Sequence, residues 1–306
     1  MSWKPIVVGV DASLEAAAAA AFALRAAERA GTTCHLVHAT RDTLASPQAP
    51  EGDRYRNALL QQARAQLVAV LREAVPPQAL NTLAVRLGSA PRVLKDVAAD
   101  CGAELIVLGG KQHSVLGRWL GGSTSLDVAR TTDVPLCVTA GPALAIRRVL
   151  VAVDLSGAAR AALTAAERYA ELFGAELRAL SVLEPIPVIP EVTPPYDATQ
   201  YYAMAEELLE RDVWPLIRTA GADKIVRHGM AVETILREAT DWRADLLVVG
   251  SHGKGWAERM LVGSVTERLL NHLPTSLLVV PTRVAAAVTV ERSREAEAPQ
   301  PAVAIA

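Results

Sequence analysis

The sequence has no Cys-x-x-Cys pair, no excess of basic residues and no apolar run long enough to span a bilayer. Its three cysteines, Cys34, Cys101 and Cys137, stand singly at strand or helix ends. Neither a disulfide framework nor a zinc site is suggested, and buried small hydrophobes are expected instead. Lysine and arginine number 31 against 33 aspartates and glutamates, a formal charge of -2. That is not the basic excess needed to neutralise a phosphate backbone, so no nucleic acid is expected as the main partner. The run Ala16 to Leu24 is too short and too alanine-rich to cross a membrane, and Glu15 and Arg25 flank it, which predicts a packed helix and no membrane partner. The opening stretch MSWKPIVVGVD passes straight into a strand-like run ending on an acid, unlike a secretory signal, so a cytoplasmic protein is expected.

Several catalytic signatures are missing as well. The nearest approach to G-x4-G-K-[S/T] is Gly250 and Gly255, and Trp256 follows where a lysine is required. No G-x-S-x-G is present, so a serine hydrolase of that type is not suggested.

What is present is one pattern written twice. VVGVDAS at Val7 to Ser13 matches LVAVDLS at Leu150 to Ser156, 143 residues on, and AELIVLGG at Ala103 to Gly110 matches ADLLVVGS at Ala244 to Ser251, 141 residues on. At 306 residues, the chain has room for two cores. Each half opens with a β-branched run, Ile6 to Val10 or Val149 to Val153, that reads as a strand buried on both faces and ends at an aspartate. A helix follows, with Ser13 or Ser156 as N-cap and Gly31 or Gly174 as C-cap. Second strands are expected near Cys34 to Ala39 and Glu176 to Val182, and long helices near Tyr55 to Ala74 and Ala198 to Ala220. The segments before those helices diverge, and the later one, EPIPVIPEVTPPYD, is rich in proline. Strands at Leu105 to Leu108 or Leu246 to Val249, then a glycine loop, a helix and a strand at Leu136 to Thr139 or Leu277 to Val280, complete each half. Alternation of this length predicts a parallel sheet with helices on both faces, hence two Rossmann-like α/β domains. Their bounds are expected at 1–141 and 147–282, with a polar, Ala/Pro-rich tail at 283–306 that reads as disordered.

In open α/β sheets ligands lie beyond the carboxyl ends of the strands, and there the second half places Asp154 and a glycine loop of Gly250, Gly253 and Gly255 running to Gly263 and Ser264. Glycines with free N–H groups before a helix start suit a phosphate. The spacing Gly250-x2-Gly253-x9-Gly263-Ser264 after a hydrophobic strand resembles the nucleotide signature of the ATP-binding universal stress proteins. The resemblance covers both halves and implies a tandem protein of that family. The implied domains are adenine nucleotide α-hydrolase-like, each with five parallel strands in the order 3-2-1-4-5. By position it implies adenosine contacts at Asp154, Val182 and Val249, and phosphate contacts at Gly250, Gly253, Gly263, Ser264 and the backbone of Val265. Chemistry agrees: an acid accepts from ribose or base donors, apolar side chains sandwich a base, and Ser264 can donate to an oxyanion or reach a phosphate-bound Mg2+.

The first half keeps Asp11, Gly109, Gly122 and Ser123 as corresponding candidates, but Gln112 stands where the second half has Gly253, and Ala39 where it has Val182. One nucleotide per chain, ATP or another adenine nucleotide, is therefore expected in the second half. Arg259 and Arg118 are candidate phosphate contacts. His252 reads as a surface side chain orienting the loop. Two other functional classes stay open from the sequence: a slow ATP-hydrolysing enzyme, for which Lys254, Arg259 and Ser264 are the only candidate groups, and a ligand-free dimerising scaffold. The family's pairing through its last strand makes Leu136 to Ala140 and Leu277 to Pro281 candidate edges, either for a homodimer or for a pairing inside the chain.

Overall fold

The computed structural model describes residues 2–41, 52–110, 124–141, 145–185, 197–251 and 262–281. The first half runs β1 (Ile6–Gly9), α1 (Leu14–Ala30), β2 (Cys34–Thr40), α2 (Gly52–Leu71), α3 (Pro77–Asn81), β3 (Ala84–Leu87), α4 (Ala90–Cys101), β4 (Leu105–Gly110), α5 (Thr124–Thr131) and β5 (Leu136–Ala140). The second runs β6 (Arg148–Val153), α6 (Ala158–Phe173), β7 (Glu176–Leu183), α7 (Ala198–Leu208), β8 (Asp223–His228), α8 (Ala231–Asp241), β9 (Leu246–Gly250), α9 (Ser264–Asn271) and β10 (Ser276–Val280).

Every strand pair within a half is parallel, in the order β3-β2-β1-β4-β5 and its repeat β8-β7-β6-β9-β10. The β-branched runs place side chains on both faces, as parallel strands between helix layers require. Ile6 and Val8 enter one core while Val7 between them enters the other, and Val149 and Val151 repeat this around Leu150. The alanines of α1, among them Ala16, Ala19, Ala20 and Ala23, are buried against the sheet. Gly31 and Gly174 close α1 and α6 at φ 64° and 65°, the left-handed conformation that a side chain disfavours.

Two local expectations need correction. Ser13 caps α1, its hydroxyl accepting from Ala16 N–H at 3.1 Å. In the second half, the N-cap is Gly157 with no side-chain cap, and the Ser156 hydroxyl instead accepts from Ala158 N–H at 3.3 Å. The long helix expected to reach Ala220 stops at Leu208 and unwinds through a π turn, Leu209–Val213, and a 3-10 turn, Trp214–Leu216. Pro215 has no N–H to continue the ladder, and its ring clashes one turn back.

The two halves share one ten-stranded sheet, because β10 pairs antiparallel with β5, Leu277 opposite Val138, Leu278 opposite Cys137 and Val279 opposite Leu136. The candidate edges thus meet each other inside the chain, and the sheet's outer strands are β3 and β8. Around this seam, Ser276 Oγ accepts from Ala140 N–H at 3.2 Å and Arg130 meets Glu267 at 3.4 Å. Near the other end of the strands, Arg168 of α6 pairs with Glu104 at 3.2 Å and lies 4.0 Å over the ring of Trp3, which meets Tyr169 edge-on at 5.3 Å.

Of the cysteines, Cys137 is buried, whereas Cys34 and Cys101 are half-buried. Burial pushes the thiols of Cys34 and Cys137 up to about 12, so little reactive thiolate exists near neutrality. Alkylation of the native protein at pH 8 is expected to spare both, and denaturation to expose them, as peptide mass spectrometry would read. Prompt native labelling of Cys137 would show that the β5–β10 seam opens in solution.

Candidate functional site

The carboxyl ends of β6, β7 and β9 face one cavity of about 450 Å³. Strand order reverses between β9 and β6, the place where open α/β sheets leave a crevice. Its lining includes Asp154, Val182, Val249, Gly250, Gly263, Ser264 and Val265. These are seven of the eight positions picked from the sequence in this half. The eighth, Gly253, lies outside the described residues together with His252, Lys254, Gly255 and Arg259.

The end of the cavity beside α9 starts from backbone. Gly263 is the N-cap of α9 with no side-chain cap bond, and Ser264, Val265 and Thr266 of the first turn line the cavity. Gly263 N–H donates to Ser251 C=O at 2.9 Å and the Thr266 hydroxyl to Gly250 C=O at 2.8 Å, which pins the helix start to the end of β9. Gly263 sits at φ -59°, a value open to any residue, so its use there lies in leaving the wall bare.

Asp154 is more engaged with its own chain than the sequence reading allows. Its Oδ1 accepts from Ser156 N–H at 3.1 Å and from the Ser156 hydroxyl. Asp11 makes the same turn with Ser13 N–H at 3.0 Å. This aspartate therefore shapes the strand-to-helix corner in both halves as well as lining the cavity in the second.

Sequence reasoning missed two parts of the wall. One is α7, which contributes Tyr201, Met204, Ala205 and Leu208. The repeat predicts the helix itself, but it follows the divergent proline-rich segment and nothing in the sequence marks its face as wall. The other is Glu184, just past β7, whose Oε1 accepts from Ala231 N–H at 2.7 Å and so ties β7 to the start of α8. Among the described residues the lining carries the carboxylates of Asp154 and Glu184 and no lysine or arginine.

In the first half, the corresponding positions carry different side chains and pack closely. Gly109 lies so close to α1 that a methyl group there would stand 2.5 Å from the Glu15 backbone carbon. Leu108 takes the place of Val249, and its side chain fills the space over Gly9, where the second half has the methyl of Ala152 instead. His38 replaces Ser181, with Nδ1 2.7 Å from the Val10 carbonyl oxygen. Glu15 and Arg41 stand where the second half has Ala158 and Glu184. Gln112, Arg118, Gly122 and Ser123 fall outside the described residues.

Comparison with known proteins agrees with the duplication. A family model described as the universal stress protein family matches residues 2–140 and again 145–281. A universal stress protein of Mycolicibacterium smegmatis is 30% identical over 295 residues, covering 91% of this chain and 97% of the relative. One from Mycobacterium tuberculosis is 29% identical over 291 residues, covering 90% and 96%. Among solved structures, a universal stress protein from Archaeoglobus fulgidus superposes with a TM-score of 0.59 at 18% identity, over 91% of this chain and 98% of that one. At that identity the likeness speaks for the fold alone.

Proposed function

The chain belongs to the universal stress protein family, and from that premise we propose that it binds an adenine nucleotide, ATP first among them, in its second domain and acts as a cytoplasmic regulatory protein of the stress response. The observation that carries this reading is that Asp154, Val182, Val249, Gly250, Gly263, Ser264 and Val265 meet in one cavity of about 450 Å³. Apolar walls from Val182 and Val249 suit a base, Asp154 a ribose hydroxyl, and the bare start of α9 a phosphate. Ser264 would offer its hydroxyl to a Mg2+ that travels with the phosphates; among the described residues no cluster of three or more His, Cys, Asp or Glu forms a metal site.

Binding rather than turnover is the reading taken from the sequence: phosphoryl transfer needs charge neutralisation and a positioned nucleophile, and of its candidate groups Lys254 and Arg259 lie outside the described residues. Any pairing of two chains uses a surface other than the β5–β10 seam, which is occupied within the chain.

Mass spectrometry of the small molecules released when the purified protein is denatured tests the reading. An adenine nucleotide is expected. Its absence, together with no heat on titration with ATP, would leave the scaffold. Asp154→Ala is expected to weaken ATP binding about tenfold or more, the worth of a hydrogen bond to a charged group. The lost Ser156 turn costs only about 1 kcal/mol of stability. Calorimetric titration and a thermal melt of the same sample separate the two effects, and an unfolded domain with unchanged affinity would make the aspartate purely structural.

A further inference from the structure

We propose that Met204, on the α7 wall of the second-domain cavity, is a modification site at which oxidation of the thioether by a peroxide or a hypohalous acid weakens nucleotide binding. The inference rests on the nucleotide reading above and names a control acting on that site. α7 turns Tyr201, Met204, Ala205 and Leu208 to the cavity, spaced three or four residues apart along one helix face. On that face Ala205 is buried, whereas Met204 is 58% exposed, a large apolar side chain left mostly in solvent. A ligand that fills the cavity covers it, and that burial favours binding while the side chain stays apolar.

Among the described residues, Met204 and Met230 carry the accessible sulfur, at 58% and 54% exposed, while Cys137 is buried and Cys34 and Cys101 are half-buried. A thioether also reacts without first losing a proton, which thiols held up to about 12, as Cys34 and Cys137 are, do not readily lose. With hydrogen peroxide, the sulfur lone pair takes one peroxide oxygen, an S–O bond forms as the O–O bond breaks, and water leaves. The sulfur is oxidised by two electrons and the peroxide reduced by two. The product is a polar sulfoxide. Ala205 and Leu208 beside it offer no donor, so a ligand that covers the sulfoxide strips its water without return. Met230, at the N-cap of α8, is about as exposed but does not line the cavity.

Brief treatment of the full-length chain with hydrogen peroxide, peptide mass spectrometry of the sulfoxides and calorimetric titration with ATP test this. Affinity is expected to fall about fivefold or more in step with sulfoxide at Met204, and methionine sulfoxide reductase to restore it. Met204→Leu keeps an apolar helix former at the position, and its own affinity, whatever the starting value, should survive the same treatment. Met230→Leu should lose affinity on treatment as the unmodified protein does. Saturating ATP should slow oxidation of Met204 and leave that of Met230 unchanged. Undiminished affinity with Met204 fully oxidised, or oxidation of Met204 unslowed by ATP, would overturn the inference while leaving nucleotide binding in place. So would a loss that persists in Met204→Leu, which would point to Met260, outside the described residues. Failure of the untreated protein to bind ATP would instead overturn the parent reading.

Discussion

Ala158→Glu combined with Ser181→His is expected to lower ATP affinity at least 100-fold, below detection by calorimetry, while the unmodified chain gives a stoichiometry near one. Both substitutions write first-half residues into the second-half cavity. Ala158 and Ser181 line that cavity, and Ser181 is only 1% exposed. A histidine there carries a ring into the floor, as His38 does against the Val10 carbonyl in the first half. A glutamate at position 158 adds a third carboxylate beside Asp154 and Glu184, against a ligand that is itself anionic. Losing several kcal/mol to sterics and like charge corresponds to 100-fold and beyond. Two sites of equal affinity in the unmodified chain would contradict this, because the glutamate and histidine that the first domain carries as Glu15 and His38 would then be no obstacle.

The residues that sequence alone could identify are those whose chemistry is local and repeated. Val7 and Leu150 lie in runs that are apolar on both faces, which only a sheet covered on both sides accommodates. Gly31 and Gly174 sit where a helix must end in left-handed backbone, and Asp154, Gly250 and Gly263 lie at strand ends and a helix start. What escaped depends on approach between distant segments. Glu184 reads as an ordinary polar residue before a proline until the fold brings Ala231 to it, and the α7 wall follows a segment in which the halves no longer correspond. The end of α7 was misplaced because tertiary packing and Pro215 outweigh the helical character of the residues around it. The role of Asp154 was seen only on the ligand side, since its bond to Ser156 is a turn that spacing does not distinguish from a capped helix. The weaker first-domain site was expected from Gln112 and Ala39; Gln112 lies outside the described residues, and the described differences also include Glu15, His38 and Leu108.

Leu278→Asp should have the largest effect on stability, a loss of about 4 kcal/mol or more, which is a large share of the 5–15 kcal/mol typical of a folded protein. Leu278 is 1% exposed and stands opposite Cys137, itself 2% exposed, where β10 meets β5. It belongs to the same apolar core as Phe22 of α1 and Phe173 of α6, whose rings lie 6.2 Å apart across the two halves. A carboxylate at that position has neither water nor a cation to meet it, and must either remain charged at high cost or take up a proton. Because the core under the seam is shared, the damage should not stay in the second domain. Urea unfolding of the intact chain should follow one transition for both halves, and the substitution should move that single midpoint down. Lys224→Ala on the outer strand β8, at an exposed position, provides the contrast, with a change of about 0.5 kcal/mol or less. If Leu278→Asp left the midpoint in place, or if the halves unfolded in separate transitions with only the second one shifted, the ten strands would not be acting as one sheet in solution. A single lowered transition would mean that the first domain supports the second through β5.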